Sequence, residues 1–156
     1  MNYAFTYEMP IGQTTILENG HGITKIIFGP LLQSEDAALR ETPLLRCTAE
    51  ELREYFAGSR KEFTIPLDPS GTEFQKKVWN ALRHIPYGET RSYGEIARMI
   101  GNEKACRAVG MANHRNPLPI VVPCHRVVGA DGSMTGYDAG LQLKKKLLRL
   151  EKTAGY

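Results

Sequence analysis

Residues 92–113 read SYGEIARMIGNEKACRAVGMAN, and the fold turns on this stretch. Ser92 followed by Glu95 has the spacing of a capping box, in which each side chain satisfies the other residue's free backbone N–H. That spacing predicts a helix from Tyr93 to Ile100, with Ile96, Ala97 and Ile100 inward, halted by Gly101 and Asn102. A second helix is expected from about Glu103 to Asn113. Two short helices, a turn containing glycine, and Lys104, Arg107 and Arg115 on or just beyond the second helix make a helix-turn-helix candidate. Helix pairs of this kind also occur as ordinary core structure, so the pattern alone leaves both readings open.

Just downstream lies Pro119-Ile120-Val121-Val122-Pro123-Cys124-His125-Arg126-Val127-Val128, which sets one cysteine between valine pairs. A free thiol has a pKa of about 8.5, and apolar surroundings raise it, so a reactive Cys124 needs an activating group. His125 is a candidate base if an acid elsewhere orients it, and Arg126 adds positive charge. A cysteine among valines is also an ordinary small buried hydrophobe. These ten residues do not decide between the two.

Upstream, Thr72 and Gln75 form another capping box, leading a helix with Phe74, Val78, Leu82 and Ile85 on one face and Trp79 alongside. Pro86-Tyr87-Gly88 stops it. Downstream, Gly129 to Ser133 suits a wing-like hairpin or a loop. A last helix is expected from Leu141 to Lys152, with Leu143, Leu147 and Leu150 inward and Lys144, Lys145 and Lys146 largely outward.

The first half reads as strands at Tyr3–Met9, Gln13–Glu18 and Ile23–Phe28. Asn19-Gly20 between the last two suggests a two-residue type I′ hairpin. A short helix is expected around Ser34–Arg40, a firmer one from a capping box at Thr48 and Glu51, and a short strand at Phe63–Leu67. Asp68-Pro69-Ser70-Gly71 is turn chemistry, and the charge balance changes sign there. Residues 1–70 carry 6 Lys/Arg against 10 Asp/Glu, whereas residues 71–156 carry 14 against 7. A basic half bearing the cysteine points to a polyanion, most simply nucleic acid. The domains are therefore expected at 1–68 and 69–156, in an α+β chain that begins with an antiparallel meander and ends in a helical, winged-helix-like half.

The 156 residues, 42% hydrophobic and 24% charged, describe a globular chain. No apolar run is long enough to span a bilayer, and the start lacks the basic and apolar regions of a signal peptide, so a cytoplasmic location without membrane association is expected. Cys47, Cys106 and Cys124 are odd in number and have no C-x-x-C spacing, which favours neither a disulfide framework nor a zinc site. Cys47 and Cys106 are expected to pack as small hydrophobes.

Several separated motifs then coincide. Phe74, Trp79, Ile85-Pro86-Tyr87-Gly88-Glu89, Ser92-Tyr93, Ala97, Arg107-Ala108-Val109-Gly110, Asn116-Pro117, Pro123-Cys124-His125-Arg126-Val127, Gly136-Tyr137, Gly140-Leu141, Lys144, Leu147-Leu148 and Glu151 together resemble the O6-alkylguanine-DNA alkyltransferases. The likeness is detailed over about 66–151. Over the first 65 residues it is one of layout, and it implies a ribonuclease H-like α/β support domain there.

The resemblance implies a DNA repair protein that binds double-stranded DNA from the minor-groove side and flips out O6-alkylguanine. It would move the alkyl group irreversibly to Cys124, once per molecule. O4-alkylthymine is a further candidate substrate. His125 would act as base through a water, Glu151 would orient it, Asn116 would brace the turn, and Tyr93 would donate to the leaving guanine. Arg107 would fill the vacated stack, with Tyr93, Ala108, Arg115 and Arg126 also on the DNA. Val127, Tyr137, Asp138, Pro119 and Met111 would line the base pocket. No cofactor and no metal are expected, and the protein is expected to act as a monomer. A lesion binder without transfer activity, a helix-turn-helix regulator and a cysteine hydrolase are the competing readings, and only the hydrolase would turn over repeatedly.

Overall fold

Ala4, Tyr7 and Met9 are buried on β1 (Tyr3–Met9), and after Pro10 and Ile11 the chain returns as β2 (Gly12–Glu18). β3 (Ile23–Phe28) extends this antiparallel meander, with a register shift between Leu17 and Glu18. Ile16 and Leu17 are consecutive and both buried, so β2 is covered on both faces. In this computed structural model the described residues, 1–134 and 140–156, divide into two compact units, Met1–Ser70 and Gly71–Tyr156.

Four expectations for the first unit are corrected. Residues 19–22 form a longer loop rather than a type I′ turn. Asn19 Oδ1 accepts from the amides of His21 (2.9 Å) and Gly22 (3.1 Å), and only Gly20 has positive φ (90°). Ser34–Arg40 is not a helix. Residues Ala38–Leu39 form β4, which pairs parallel to β1 and completes a sheet of order β3-β2-β1-β4. Here an open strand edge overrides local helix preference.

The next helix, α1 (Pro43–Phe56), starts five residues before the expected capping box. Thr42 caps it, accepting from the Leu45 amide, and Pro43 occupies the first turn, where its missing N–H costs nothing. Thr48 lies inside the helix and donates to Leu44 O, while the buried Glu51 accepts from the Thr64 amide at 2.8 Å. Phe63–Leu67 contributes only a parallel bridge between Ile23 and Leu67, since Pro66 has no N–H to extend a ladder. α1 packs Leu45, Leu52 and Tyr55 into the core beside β1 and β2.

The second unit begins with α2 (Glu73–Leu82), whose Thr72–Gln75 capping box forms with both hydrogen bonds. Val78, Leu82 and Ile85 are buried, and Trp79 Nε1 donates to Ala112 O at 2.8 Å. After β5 (Arg91–Ser92) comes α3 (Tyr93–Met99), capped by Ser92 and Glu95 as the spacing predicts. α4 (Cys106–His114) starts three residues later than expected and has no side-chain cap. It packs against both α2 and α3.

A 3-10 turn at Cys124–Arg126 runs into β6 (Val127–Val128), which pairs parallel to β5. Gly129 to Ser133 is a tight turn closed by a 2.8 Å hydrogen bond between Gly129 N and Ser133 O. The final helix, α5 (Leu141–Leu150), ends two residues early and presents Lys144, Leu147 and Leu148 inward. Lys144 was expected outward, and its burial is the main correction in this half. The two other cysteines also depart from expectation, since Cys47 and Cys106 are exposed. No helix among the described residues is long and apolar enough to cross a membrane.

Candidate active site

Three successive turns deliver the cysteine. Asn116 Nδ2 donates to Val122 O at 2.9 Å while its Oδ1 accepts from the Leu118 amide at 3.0 Å, so one side chain pins both ends of a loop. Within that loop Ile120 has a φ of 74°. A β-branched residue in the left-handed region costs of order 1–3 kcal/mol, which the surrounding packing must offset. Cys124 N then bonds to Val122 O at 2.8 Å and Arg126 N to Pro123 O at 3.0 Å, closing the turn on Cys124, which is 4% exposed.

Glu151, at the C-terminal cap of α5, meets this turn from the far end of the sequence. Its Oε2 lies 2.7 Å from His125 Nε2, and Arg126 grips both carboxylate oxygens at 2.8 and 3.0 Å. Arg126 also donates to Ile85 O at 2.7 Å. Arg126, expected on the DNA, is buried here with its guanidinium on the carboxylate. Gly88 makes room here, because its φ is 82° and a Cβ would come within 3.2 Å of Glu151 O.

The charges follow from these contacts. Burial pushes the Glu151 carboxyl up, but the hydrogen bonds and charges of His125 and Arg126 outweigh it and bring the carboxyl down to about 2. Burial likewise pushes His125 below its ordinary range, against the pull of Glu151. Arg126 is the permanent cation of the trio, so at rest the group holds an ionised Glu151, a charged Arg126 and a neutral His125. With Nε2 donating to the carboxylate, His125 Nδ1 carries the lone pair. That atom is buried and has no hydrogen-bond partner among the described residues. A histidine in this state is ready to take a proton and to become an imidazolium beside an existing carboxylate.

Lys144 approaches from α5 and donates to Val127 O at 2.6 Å. It is fully buried, and desolvation pushes its ammonium down to about 8 while Cys124 draws it back up. The sequence held a signal for this: Lys144 and Glu151 are seven residues apart, two helical turns, and so share a face. Asn113 was also missed. It is 2% exposed on α4, and its Nδ2 faces Cys124 O at 3.5 Å.

The other candidates lie around this centre. Tyr93 is half-buried at the start of α3, beside Gly110 of α4. Arg107, Ala108, Met111 and Arg115 are exposed on α4 or at its end, Pro119 is half-buried and Val127 fully buried. Tyr137 and Asp138 lie outside the described residues. Among the described residues no cluster of histidine, cysteine or acidic side chains could hold a metal.

Residues 73–153 match the DNA binding domain of 6-O-methylguanine DNA methyltransferase, and residues 2–69 match the ribonuclease-like domain of the same family. The chain belongs to the 6-O-methylguanine DNA methyltransferase family. Within it, the chain is 50% identical over 154 residues to a methylated-DNA–protein-cysteine methyltransferase of Methanosarcina acetivorans, covering 97% of this chain and 98% of that one. It is 47% identical to the constitutive enzyme of that name from Bacillus subtilis, covering 97% and 96%. A Mycobacterium tuberculosis OGT solved in complex with DNA superposes with a TM-score of 0.87 at 47% identity, over 96% of this chain and 92% of that one. The methyltransferase family thus accounts for both units and for the helix-turn-helix.

Proposed function

We propose that this methyltransferase-family chain repairs DNA by taking the alkyl group of O6-alkylguanine onto Cys124. The observation that carries the reading is a buried cysteine followed at once by a histidine whose Nε2 is 2.7 Å from a buried carboxylate, on a turn beside a helix-turn-helix. α4 presents Arg107, Ala108 and Arg115 to duplex DNA, and the damaged guanine is flipped toward Cys124, with Arg107 entering the gap.

His125 removes the thiol proton through a water. The thiolate attacks the O6-alkyl carbon in line, the S–C bond forms as the C–O6 bond breaks, and Tyr93 donates to the leaving guanine. The main chain at Cys124 and Val127 reads the base edge, while Asn116 keeps the turn in place. A thioether is a poor leaving group, so each molecule acts once. The protein acts as a monomer, in the cytoplasm, with no metal or cofactor in the reaction.

The test is the intact mass after incubation with duplex DNA containing one O6-methylguanine, followed by peptide mapping. The expected result is a gain of about 14 Da on the Cys124 peptide that stops at one equivalent. Tight binding with no gain in mass would refute transfer and leave a lesion binder. Repeated turnover would refute the single-use mechanism.

A further inference from the structure

Two buried polar atoms beside the nucleophile have no hydrogen-bond partner among the described residues: His125 Nδ1 and Asn113 Oδ1. Such atoms are rare in folded proteins, and each calls for a ligand or a water. The orientation of the Asn113 amide is fixed by its neighbour. Nδ2 faces the carbonyl of Cys124, an acceptor, so Oδ1 is turned to the other side as an unanswered acceptor. His125 Nδ1 is also an acceptor, because Nε2 donates to the ionised Glu151. Two acceptors cannot satisfy one another. A donor with two hydrogens can answer both.

We propose that Asn113 is a positioning residue for proton transfer: its Oδ1 and His125 Nδ1 hold one buried water by its two hydrogens, which leaves the water oxygen to accept from the Cys124 thiol. This inference rests on the alkyl-transfer reading and adds a third holder to its relay. The protons balance. The thiol proton passes to the water oxygen, one water proton passes to Nδ1, and the products are a thiolate, a water still bound to Oδ1, and an imidazolium beside Glu151. A water with three hydrogen bonds is ordinary for a buried site. Without Oδ1 that water would have a free hydrogen and no fixed orientation, and the relay would have to wait for it to turn.

The charged and titratable groups facing this network are Glu151 and Lys144 from α5, Arg126 from the same turn, and Tyr87, whose ring lies 5.7 Å from the Arg126 guanidinium. None of them changes when Asn113 does, so a change in the pH profile reports the relay.

The experiment uses full-length protein with Cys47→Ser and Cys106→Ser, and iodoacetamide as a probe that needs no DNA. Alkylation of Cys124 is followed against pH for the parent, Asn113→Leu, His125→Ala and the double variant. Asn113→Leu is expected to slow the reaction about tenfold at pH 7 and to move its profile upward, within the range of acid–base contributions. It should have no further effect once His125 is gone, since both act through one water. An unchanged profile, or the same factor in both backgrounds, overturns the proposal and leaves Asn113 as a brace for the Cys124 carbonyl.

A measurement on the parent alone covers variants that fail to fold. The ¹⁵N resonance of His125 Nδ1 should lie where a hydrogen-bonded lone pair places it, and a free lone pair overturns the proposal. If wild-type protein fails to demethylate DNA while these results hold, the reading of the activity fails and the role of Asn113 stands.

Discussion

Replacing Glu151 with glutamine keeps the shape of the side chain and removes the charge that both His125 and Arg126 address. Two magnitudes can be worked out. Glu151 falls from 4.5 to about 2 on folding. At about 1.4 kcal/mol per pH unit, that is about 3 kcal/mol of stability. A lowered carboxyl pKa gives stability that is present above the unfolded value and lost as pH falls through the folded one, so this share should disappear between about pH 4.5 and 2.

The second magnitude is that of a stranded cation. With Glu151→Gln, Arg126 keeps Ile85 O but loses its counter-charge while buried, a situation that costs about 3–5 kcal/mol. Urea unfolding at pH 7 and at pH 3 measures both. The variant should be less stable by about 3 kcal/mol or more at pH 7, and the gap should narrow at pH 3, where the unfolded wild-type chain takes up the Glu151 proton while the folded one stays ionised. Adding Arg126→Met should recover part of the loss. A change below about 0.5 kcal/mol at pH 7, within the range of ordinary surface substitutions, would refute the assignment of Glu151 as the charge that holds the turn together.

Other outcomes follow from the same geometry. Cys124→Ala should abolish alkyl transfer and leave affinity for O6-methylguanine duplex within about threefold, as read by mobility shift, because the thiol is buried and small. Arg107→Ala should slow repair of duplex DNA more than reaction with free O6-benzylguanine; equal loss on both would remove Arg107 from the stack. Lys144 has a lowered ammonium pKa, so wild-type stability should rise by about 3 kcal/mol between pH 8 and 10.5, where only the unfolded chain keeps the proton, and Lys144→Met should flatten that slope in urea titrations. Thr72→Ala should cost about 1 kcal/mol in thermal or urea unfolding by opening the capping box at the start of α2.

The sequence was most legible where backbone chemistry is local. Both capping boxes of the second unit, at Thr72 and Ser92, formed at the expected residues, because each needs only two side chains three positions apart. It was least legible where a distant partner decides. Thr48 and Glu51 carry the same spacing, yet Thr42 and Pro43 start the helix earlier, and Glu51 is taken by Thr64. Ala38–Leu39 becomes strand because β1 offers it an edge. Arg126 and Lys144 look like solvent or DNA contacts in one dimension. Their burial depends on a carboxylate 25 residues away and a carbonyl 17 residues away, distances that no local pattern encodes.

The contrast between the three thiols has a consequence for a protein that can react only once. Cys47 and Cys106 face solvent, while Cys124 sits at 4% exposure behind valines and prolines. Peroxides and disulfides in solution meet the two surface thiols first. Cys124 is screened by access. A soluble electrophile therefore meets Cys124 more slowly than it meets Cys47 or Cys106, and most such encounters leave Cys124 unspent.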